Sequence, residues 1–249
     1  MKKNQLKLNC DMGESYGVYT MGMDNDIMPY IDMANLACGF HAGDPLTMHA
    51  SIIRAKKHKI EIGAHPAYPD LVGFGRREMK CSTEEIVAIV LYQCGALDGL
   101  CRSEGVSVSY LKPHGALYNM MMKDMEVFKA ICKAVSMYET DIKLMILSTS
   151  ENHTFKYIAQ KYKVDLLYEV FADRAYTDEG YLLERSQKNA VFTRKEEVLQ
   201  RAVLLLEKGC IKTITGRYIE LEADTLCVHS DTTNALELIK SLHTLLHTS

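Results

Sequence analysis

Four of the nine histidines share a local pattern: each lies within two residues of glycine, proline or serine where an apolar run gives way to polar residues. They are His41 in GFHAGDP, His65 in GAHPAYPD, His114 in KPHGALY and His229 in CVHSD. Imidazoles near carboxylates can transfer protons near neutral pH, or hold a divalent metal that activates water. One such histidine usually has a structural role, but four at corresponding positions favour a functional site.

Charged residues occur at the same kind of position. Asp11 and Glu14 follow the first apolar run, and Lys112 lies at the end of the fourth. Lys112 could polarise a carbonyl group or pair with a substrate carboxylate, and a buried ion pair with Asp11 or Glu14 is an equally good interpretation. The further candidates for binding substrate or phosphate are Asn9, Asp44, Asp173, Arg174, His229 and Asp231.

The stretch DLVGFGRREM combines Gly73 and Gly75 with Arg76 and Arg77. Glycines allow a close approach of the backbone, and adjacent guanidinium groups can bind phosphate or carboxylate. The usual mononucleotide and dinucleotide fingerprints are missing from the sequence, as is the Gly-x-Ser-x-Gly elbow of serine hydrolases. The loop is therefore a candidate anion site of no standard type.

Short apolar runs recur along the chain, and each is followed by a polar turn and a segment with helical spacing. The runs are residues 6–10, 32–38, 61–65, 108–114, 142–148, 166–172 and 224–230. Strands that alternate with helices pair in parallel, and runs that are apolar on both faces indicate a sheet covered by helices. The pattern predicts an α/β fold, a single-domain barrel of seven β/α units over residues 1–249, in preference to an open doubly wound sheet.

Local signals mark where several helices begin. Capping boxes pair Ser82 with Glu85 and Thr193 with Glu196, and Asp44 precedes Pro45 as an N-cap before a first-turn proline. The longest irregular stretch, 13–29, directly follows the first strand, where barrel enzymes carry functional loops. Because such enzymes place their chemistry at the carboxyl ends of the strands, the fold would bring the candidate residues to one rim.

The composition is that of a soluble globular protein, with 47% hydrophobic and 24% charged residues among 249. A net charge of −3 with interspersed signs offers no basic stripe for nucleic acid. The N-terminus lacks an apolar run of signal-peptide length, and the longest uncharged apolar stretch, 86–97, is too short to span a bilayer. We therefore expect a cytoplasmic protein whose eight scattered cysteines stay reduced.

Several longer motifs occur together in one order: LNCDMGESYG, ANLACGFHAGDP, IGAHPAYPDLVGFGRREM, LKPHGALYN, EVFADRAY and ADTLCVHSD. In this order and spacing, from residue 6 to about 235, the chain resembles the LamB/YcsF family. The resemblance implies a barrel of the glycoside hydrolase/deacetylase type. It also implies that the chain is the A component of a 5-oxoprolinase, which opens 5-oxo-L-proline to L-glutamate at the expense of ATP together with B and C subunits.

On this resemblance we expect ATP with Mg²⁺ as co-substrate. We assign Lys112, Arg76 and Arg77 to charge stabilisation. The residues assigned to substrate positioning and proton transfer are Asp11, Glu14, His41, His65 and His114. Related deacetylase-like barrels hold a divalent metal with one Asp and two His, and Asp11, His41 and His65 could imitate that trio.

Two rival functions stay open on the sequence alone. One is a metal-dependent carbohydrate deacetylase-like hydrolase, and the other is a non-catalytic scaffold for partner subunits. A homo-oligomer is equally compatible with the sequence.

Overall fold

The computed structural model describes residues 6–138, 141–185, 187–228 and 235–247. The strands are β1 (Lys7–Met12), β2 (Met33–Ala37), β3 (Glu61–His65), β4 (Val108–Leu111), β5 (Lys143–Leu147), β6 (Leu166–Phe171), β7 (Cys210–Lys212), β8 (Tyr218–Glu220) and β9 (Thr225–Cys227). Strands β1 to β6 and β9 pair in parallel and close into a barrel, in which β9 lies between β6 and β1. The predicted barrel of seven β/α units is confirmed, and the open sheet is excluded.

Helices surround the barrel. They are α1 (Asp24–Ile27), α2 (Pro45–His58), α3 (Thr83–Ser103), α4 (Gly115–Lys123), α5 (Met125–Ser136), α6 (Asn152–Lys161), α7 (Lys195–Lys208) and α8 (Ala235–His247). The capping box of Ser82 and Glu85 is confirmed, and Asp44 caps α2 through the amides of Leu46 and Thr47. These caps satisfy amide groups that have no partner within a helix.

The second predicted capping box, at Thr193, is wrong. Helix α7 begins at Lys195 behind Arg194, which makes no side-chain cap bond. The residues just before it belong instead to the preceding loop, because the amide of Phe192 donates to the carbonyl of Asp173 and Val191 pairs with Arg174. These contacts delay the start of the helix.

Two connections differ from the sequence-based expectation. Among the described residues, the longest segment between helices and strands lies after β6, within 172–194. The stretch 13–29 contains α1 and the start of a 3₁₀ turn at Met28–Tyr30. The antiparallel hairpin of β7 and β8 was not predicted. Its strands have three residues each, which is too short to give a clear alternating pattern.

The strands alternate between two surroundings. Outward residues such as Leu8, Cys10 and Met12 join the main hydrophobic core between sheet and helices. Inside the barrel a smaller apolar cluster is formed by Met33, Tyr110 and Met145. Since side chains of a strand point alternately to its two faces, the same strands supply both the core and the barrel interior.

Helix α3 is the one described helix whose length and apolar character would allow it to cross a membrane. Its buried residues include Ile86, Val90, Cys94 and Leu97, which belong to the main core. Packing on the barrel therefore accounts for its apolar sequence.

Candidate functional site

A cavity of about 360 Å³ opens at the carboxyl ends of the barrel strands. Its wall includes four of the predicted catalytic residues, Asp11, His65, Lys112 and His114. They come from the ends of β1, β3 and β4 or from the residues directly after them. The volume is at the small end of the range typical of ligand pockets, about 300–1,000 Å³, and therefore suits a small polar molecule.

Beside this cavity lies a group that we call the histidine cluster, made of Glu14, His41, His65 and His114. Their ligand atoms lie within 4.8 Å of one another, and the three histidines are buried. The rings of His41 and His114 stack at a centroid distance of 3.7 Å and an angle of 6°, whereas the ring of His65 stands nearly perpendicular to both. This cluster of imidazole and carboxylate groups could bind a metal ion.

Carbonyl groups fix the tautomers of two of these rings. Nδ1 of His65 donates to the carbonyl oxygen of Lys112 at 2.7 Å, and Nε2 of His114 donates to that of Phe74 at 2.9 Å. A carbonyl oxygen only accepts, so each of these nitrogens carries a hydrogen. The remaining nitrogens, Nε2 of His65 and Nδ1 of His114, face each other at 3.0 Å.

The loop from Asp70 to Arg77 forms the back of the histidine cluster. Gly75 has a φ of +63°, and a Cβ atom there would lie 2.8 Å from Cβ of His41 and 2.9 Å from Cδ2 of His114. The glycine therefore allows the backbone to approach both rings, which a side chain would prevent. The backbone of Phe74 is also in the left-handed region, with a φ of +54°. Its ring packs nearly perpendicular to the imidazole rings of His41 and His114.

Burial changes the proton affinity of two of the histidines. Desolvation, reinforced by the neighbouring His114 and His65, lowers the pKa of His41 well below its usual range. Desolvation and the nearby His65 lower the pKa of His114 to about 3. Both imidazoles are therefore neutral near pH 7, with lone pairs available to accept a proton or to bind a metal.

Within the barrel, Lys112 is the centre of a second polar group. Its Nζ lies 2.7 Å from Oε1 of Glu169, 3.1 Å from Oδ1 of Asp11 and 3.2 Å from Oδ1 of Asn9. Burial alone would lower the pKa of the Lys112 ammonium, but Asp11, Cys227 and Glu169 raise it well above its usual range. Lys112 therefore forms a buried ion pair, and its partners are Asp11 and Glu169.

Further hydrogen bonds connect these groups across the barrel. Asn35 donates from Nδ2 to Asn9 and to Asp11, and accepts from the hydroxyl of Tyr110 at 2.7 Å. Asn9 also donates to the hydroxyl of Thr225. We call this set the interior network, and its members are Asn9, Asn35, Tyr110, Lys112, Tyr118, Glu169 and Thr225. Asp11 joins it to the histidine cluster, since its Oδ2 lies 3.4 Å from Nε2 of His65.

The two adjacent arginines lie in different environments. Nε of Arg77 donates to Oδ1 of Asp70 at 2.9 Å, and this carboxylate also accepts the amide of Gly73, so Arg77 closes the loop. Arg76 lines the cavity, and its guanidinium lies 5.0 Å from the ring centre of Phe74. Of the pair, Arg76 is the one placed to meet a ligand in the cavity.

Other predicted binding residues hold the surrounding chain. Asp44 caps α2, and hydrogen bonds from the Thr47 hydroxyl and from the amide of Gly17 lower its pKa to about 2. Arg174 lines the cavity, and donates to the carbonyls of Leu183 and Ala190 in the segment after β6. Asp173 is buried next to it and does not line the cavity. His229 and Asp231 lie outside the described residues.

Five residues of the interior network were missed in the sequence: Asn35, Tyr110, Tyr118, Glu169 and Thr225. Glu169 is fully buried, and the hydroxyl of Tyr118 donates to its Oε2 at 2.9 Å. The signal for Glu169 was a charged residue in the middle of the apolar run LLYEVFA, because a carboxylate inside a barrel strand requires a buried partner. No comparable signal marks Tyr118.

Comparison with known proteins places the chain among close relatives. The sequence profile of the LamB/YcsF family matches residues 6–249. A protein of Vibrio campbellii, named as the A component of 5-oxoprolinase, is 49% identical over 248 residues, which is 100% of this chain and 98% of that protein. A Pseudomonas putida protein, named as a second such A component, is 47% identical, and the match covers 96% of this chain and 92% of that protein.

The same relationship holds in three dimensions. The crystal structure of a lactam utilization protein from Thermus thermophilus matches with a TM-score of 0.91 at 39% sequence identity. The match covers 98% of this chain and 96% of that one.

Proposed function

The chain belongs to the LamB/YcsF family, and on that premise we propose that it is the A component of an ATP-dependent 5-oxoprolinase. In this proposal it takes part in opening the lactam of 5-oxo-L-proline to L-glutamate, together with B and C subunits. The observation that carries the proposal is the small cavity lined by Asp11, His65 and His114 at the carboxyl rim of the barrel. The names of the relatives supply the substrate class.

The chemistry of the substrate explains the use of ATP. A five-membered lactam is an amide stabilised by resonance, and its carbonyl carbon is a poor electrophile. Transfer of the γ-phosphoryl group to the lactam oxygen would give an imidate-like ester, whose carbon accepts water far more readily. Mg²⁺ would accompany ATP as its counter-ion, as in other phosphoryl transfers. Because the reaction consumes ATP, we expect it to take place in the cytoplasm.

The cavity offers groups for both ends of the substrate. Arg76 at its wall can pair with the carboxylate of 5-oxoproline through its planar guanidinium. Asp11 is held with Oδ1 towards Lys112 and Asn35, and its Oδ2 lies next to His65. This arrangement suits a general base, because the carboxylate is oriented before the substrate enters.

In the proposed step Asp11 removes a proton from water as the water attacks the activated carbon. The C–N bond of the ring then breaks, the nitrogen takes up that proton and becomes the amine of the product, and a second water molecule releases phosphate from the resulting acyl phosphate to give L-glutamate. His114 carries its hydrogen on Nε2, which is bonded to the Phe74 carbonyl, so its Nδ1 presents a lone pair towards His65. Lys112 keeps its positive charge within the interior network, and holds Asp11 in position while stabilising its ionised form.

The decisive experiment measures ATP-dependent glutamate release by the chain reconstituted with B and C subunits. We expect activity from the mixture and none from the isolated chain. Asp11→Asn should reduce kcat by at least about 10²-fold, the usual contribution of an acid–base group. Asp141→Asn is the matched control, because Asp141 is exposed and does not line the cavity, and it should retain full activity.

Two results would contradict the proposal. The first is hydrolysis of an acetylated sugar by the isolated chain without ATP, which would favour the deacetylase alternative. The second is full activity of the mixture containing Asp11→Asn, which would favour a scaffold role.

A further inference from the structure

The contact between His65 and His114 is unusual because neither of the facing nitrogens carries a hydrogen in the neutral rings. Nδ1 of His65 and Nε2 of His114 are both committed as donors to carbonyl groups. Nε2 of His65 and Nδ1 of His114 therefore direct lone pairs at each other across 3.0 Å. Two lone pairs at this distance repel, and the contact becomes favourable only if one ring takes up a proton that both nitrogens share or if a metal cation binds both nitrogens.

Two carboxylates stand next to these nitrogens. Oδ2 of Asp11 lies 3.4 Å from Nε2 of His65, and Oε1 of Glu14 lies 3.7 Å from Nδ1 of His114. A tetrahedral ion with ligands at about 2.0–2.2 Å keeps its ligand atoms roughly 3.4 Å apart. The three separations of 3.0, 3.4 and 3.7 Å bracket that value.

His41 belongs to the same cluster, but its ring direction differs. The ring of His41 is nearly parallel to that of His114 at a centroid distance of 3.7 Å. Lone pairs lie in the ring plane, so those of two stacked rings run side by side and do not meet at one ion at bonding distance.

We propose that His65, His114 and Glu14 form a binding site for one divalent transition-metal ion, with Asp11 beside the open position of the ion and His41 as a positioning residue. Imidazole nitrogens favour zinc, cobalt or nickel over magnesium, so this ion is distinct from the Mg²⁺ that accompanies ATP. Nε2 of His41 lies 3.1 Å from Oε1 of Glu14 and holds that carboxylate in place. The hydrogen bonds of His65 and His114 to backbone carbonyls orient the ligand nitrogens, as is usual for metal-binding histidines.

The inference does not depend on the proposed activity, because metal uptake can be measured without substrate or partner subunits. The full chain is treated with a chelator, dialysed and titrated with Zn²⁺ or Co²⁺ in a calorimeter. We expect one equivalent to bind, and Co²⁺ to give the visible absorption of a low-symmetry site with nitrogen and oxygen ligands. A folded protein that takes up neither ion would overturn the proposal.

Variants separate ligands from the positioning residue. His65→Ala and His114→Ala should abolish binding, while His41→Ala should keep one equivalent and weaken affinity by about 10–100-fold, as for other outer-shell partners. His41→Gln keeps a donor towards Glu14 and should recover part of that loss. His153→Ala is the control, since His153 is exposed on α6, and should bind as the unaltered chain does.

The outcome can also be read without variants, in case His65→Ala or His114→Ala fails to fold. Nitrogen NMR of the unaltered chain distinguishes a metal-bound nitrogen from one that shares a proton. We expect the resonances of Nε2 of His65 and Nδ1 of His114 to shift on addition of Zn²⁺. A shared proton that persists at saturating Zn²⁺, or a loss of stoichiometry in His41→Ala equal to that in His65→Ala, would overturn the assignment.

Discussion

The interior network and the histidine cluster meet at Asp11 and use buried polar groups in opposite ways. In the interior network each charge faces an opposite charge, as Lys112 does between Asp11 and Glu169. In the histidine cluster two nitrogen lone pairs face each other, and Nδ1 of His41 has no hydrogen-bond partner among the described residues. The difference indicates that the network maintains the barrel, whereas the cluster is arranged for something that enters from outside.

The strongest test of the comparison removes the charge at the centre of the network. Lys112→Met leaves Asp11 and Glu169 buried without their cation, and we expect a loss of about 3–5 kcal/mol in the free energy of unfolding. Urea denaturation measures it. Lys129→Met is the control, because Lys129 pairs with Glu126 on the exposed surface, and should change little. A small loss for Lys112→Met would contradict the structural role of the network.

The next test compares two glycines with the same backbone conformation. Gly75 and Gly209 both have a φ of +63°, but a Cβ at Gly209 meets nothing within 4 Å, whereas at Gly75 it overlaps His41 and His114. Gly209→Ala should lower the free energy of unfolding by about 1–2 kcal/mol through backbone strain alone. Gly75→Ala should lower the free energy of unfolding by about 1–3 kcal/mol more than Gly209→Ala does, which is the usual effect of overpacking a well-packed site.

The same pair of glycine variants separates stability from binding. Gly75→Ala pushes on both imidazoles and should weaken Co²⁺ binding, while Gly209→Ala should leave it unchanged. Thermal unfolding and cobalt titration are measured on both variants. Equal effects of the two substitutions would show that the loop does not constrain the histidine cluster.

The smallest expected effect concerns the ion pair that closes this loop. The Arg77 hydrogen bond is the main cause that lowers the pKa of Asp70 to about 2. A carboxyl group whose pKa is lower in the folded state stabilises that state at pH values above its unfolded pKa, 3.8. This contribution to stability is lost as the pH falls towards 2. Arg77→Ala should therefore lower stability slightly at pH 7, and the difference from the unaltered chain should shrink at about pH 3. A constant difference between those pH values would argue against the pair.

Much of the fold could be predicted from the sequence because it depends on alternation along the chain. The apolar runs and the caps at Asp44 and Ser82 identify strands and helix starts from neighbouring residues alone. The strands of the β7–β8 hairpin are too short to give a clear alternating pattern, and the delayed start of α7 depends on contacts with another segment, such as that of Phe192 with Asp173. Such contacts leave no periodic trace in the sequence.

The candidate site divides in the same way. His65, His114, Asp11 and Lys112 could be placed at one rim because each lies at the end of a predicted strand or directly after it. The different environments of Arg76 and Arg77 could not, because both depend on how one loop folds against Asp70 and Phe74. The tautomers of His65 and His114 are likewise set by backbone carbonyls from other segments.

The closure of the barrel by β9 has a consequence for how the protein is made. Strand β1 pairs with β2 on one side and with β9 on the other, so one of its edges stays open until residues 225–227 have been synthesised. At typical elongation rates of about 5–20 residues per second, the first strand waits roughly 10–40 s for its last neighbour. Asn9 acquires Thr225 as a partner only then, so the polar interior is completed as one of the final events of folding.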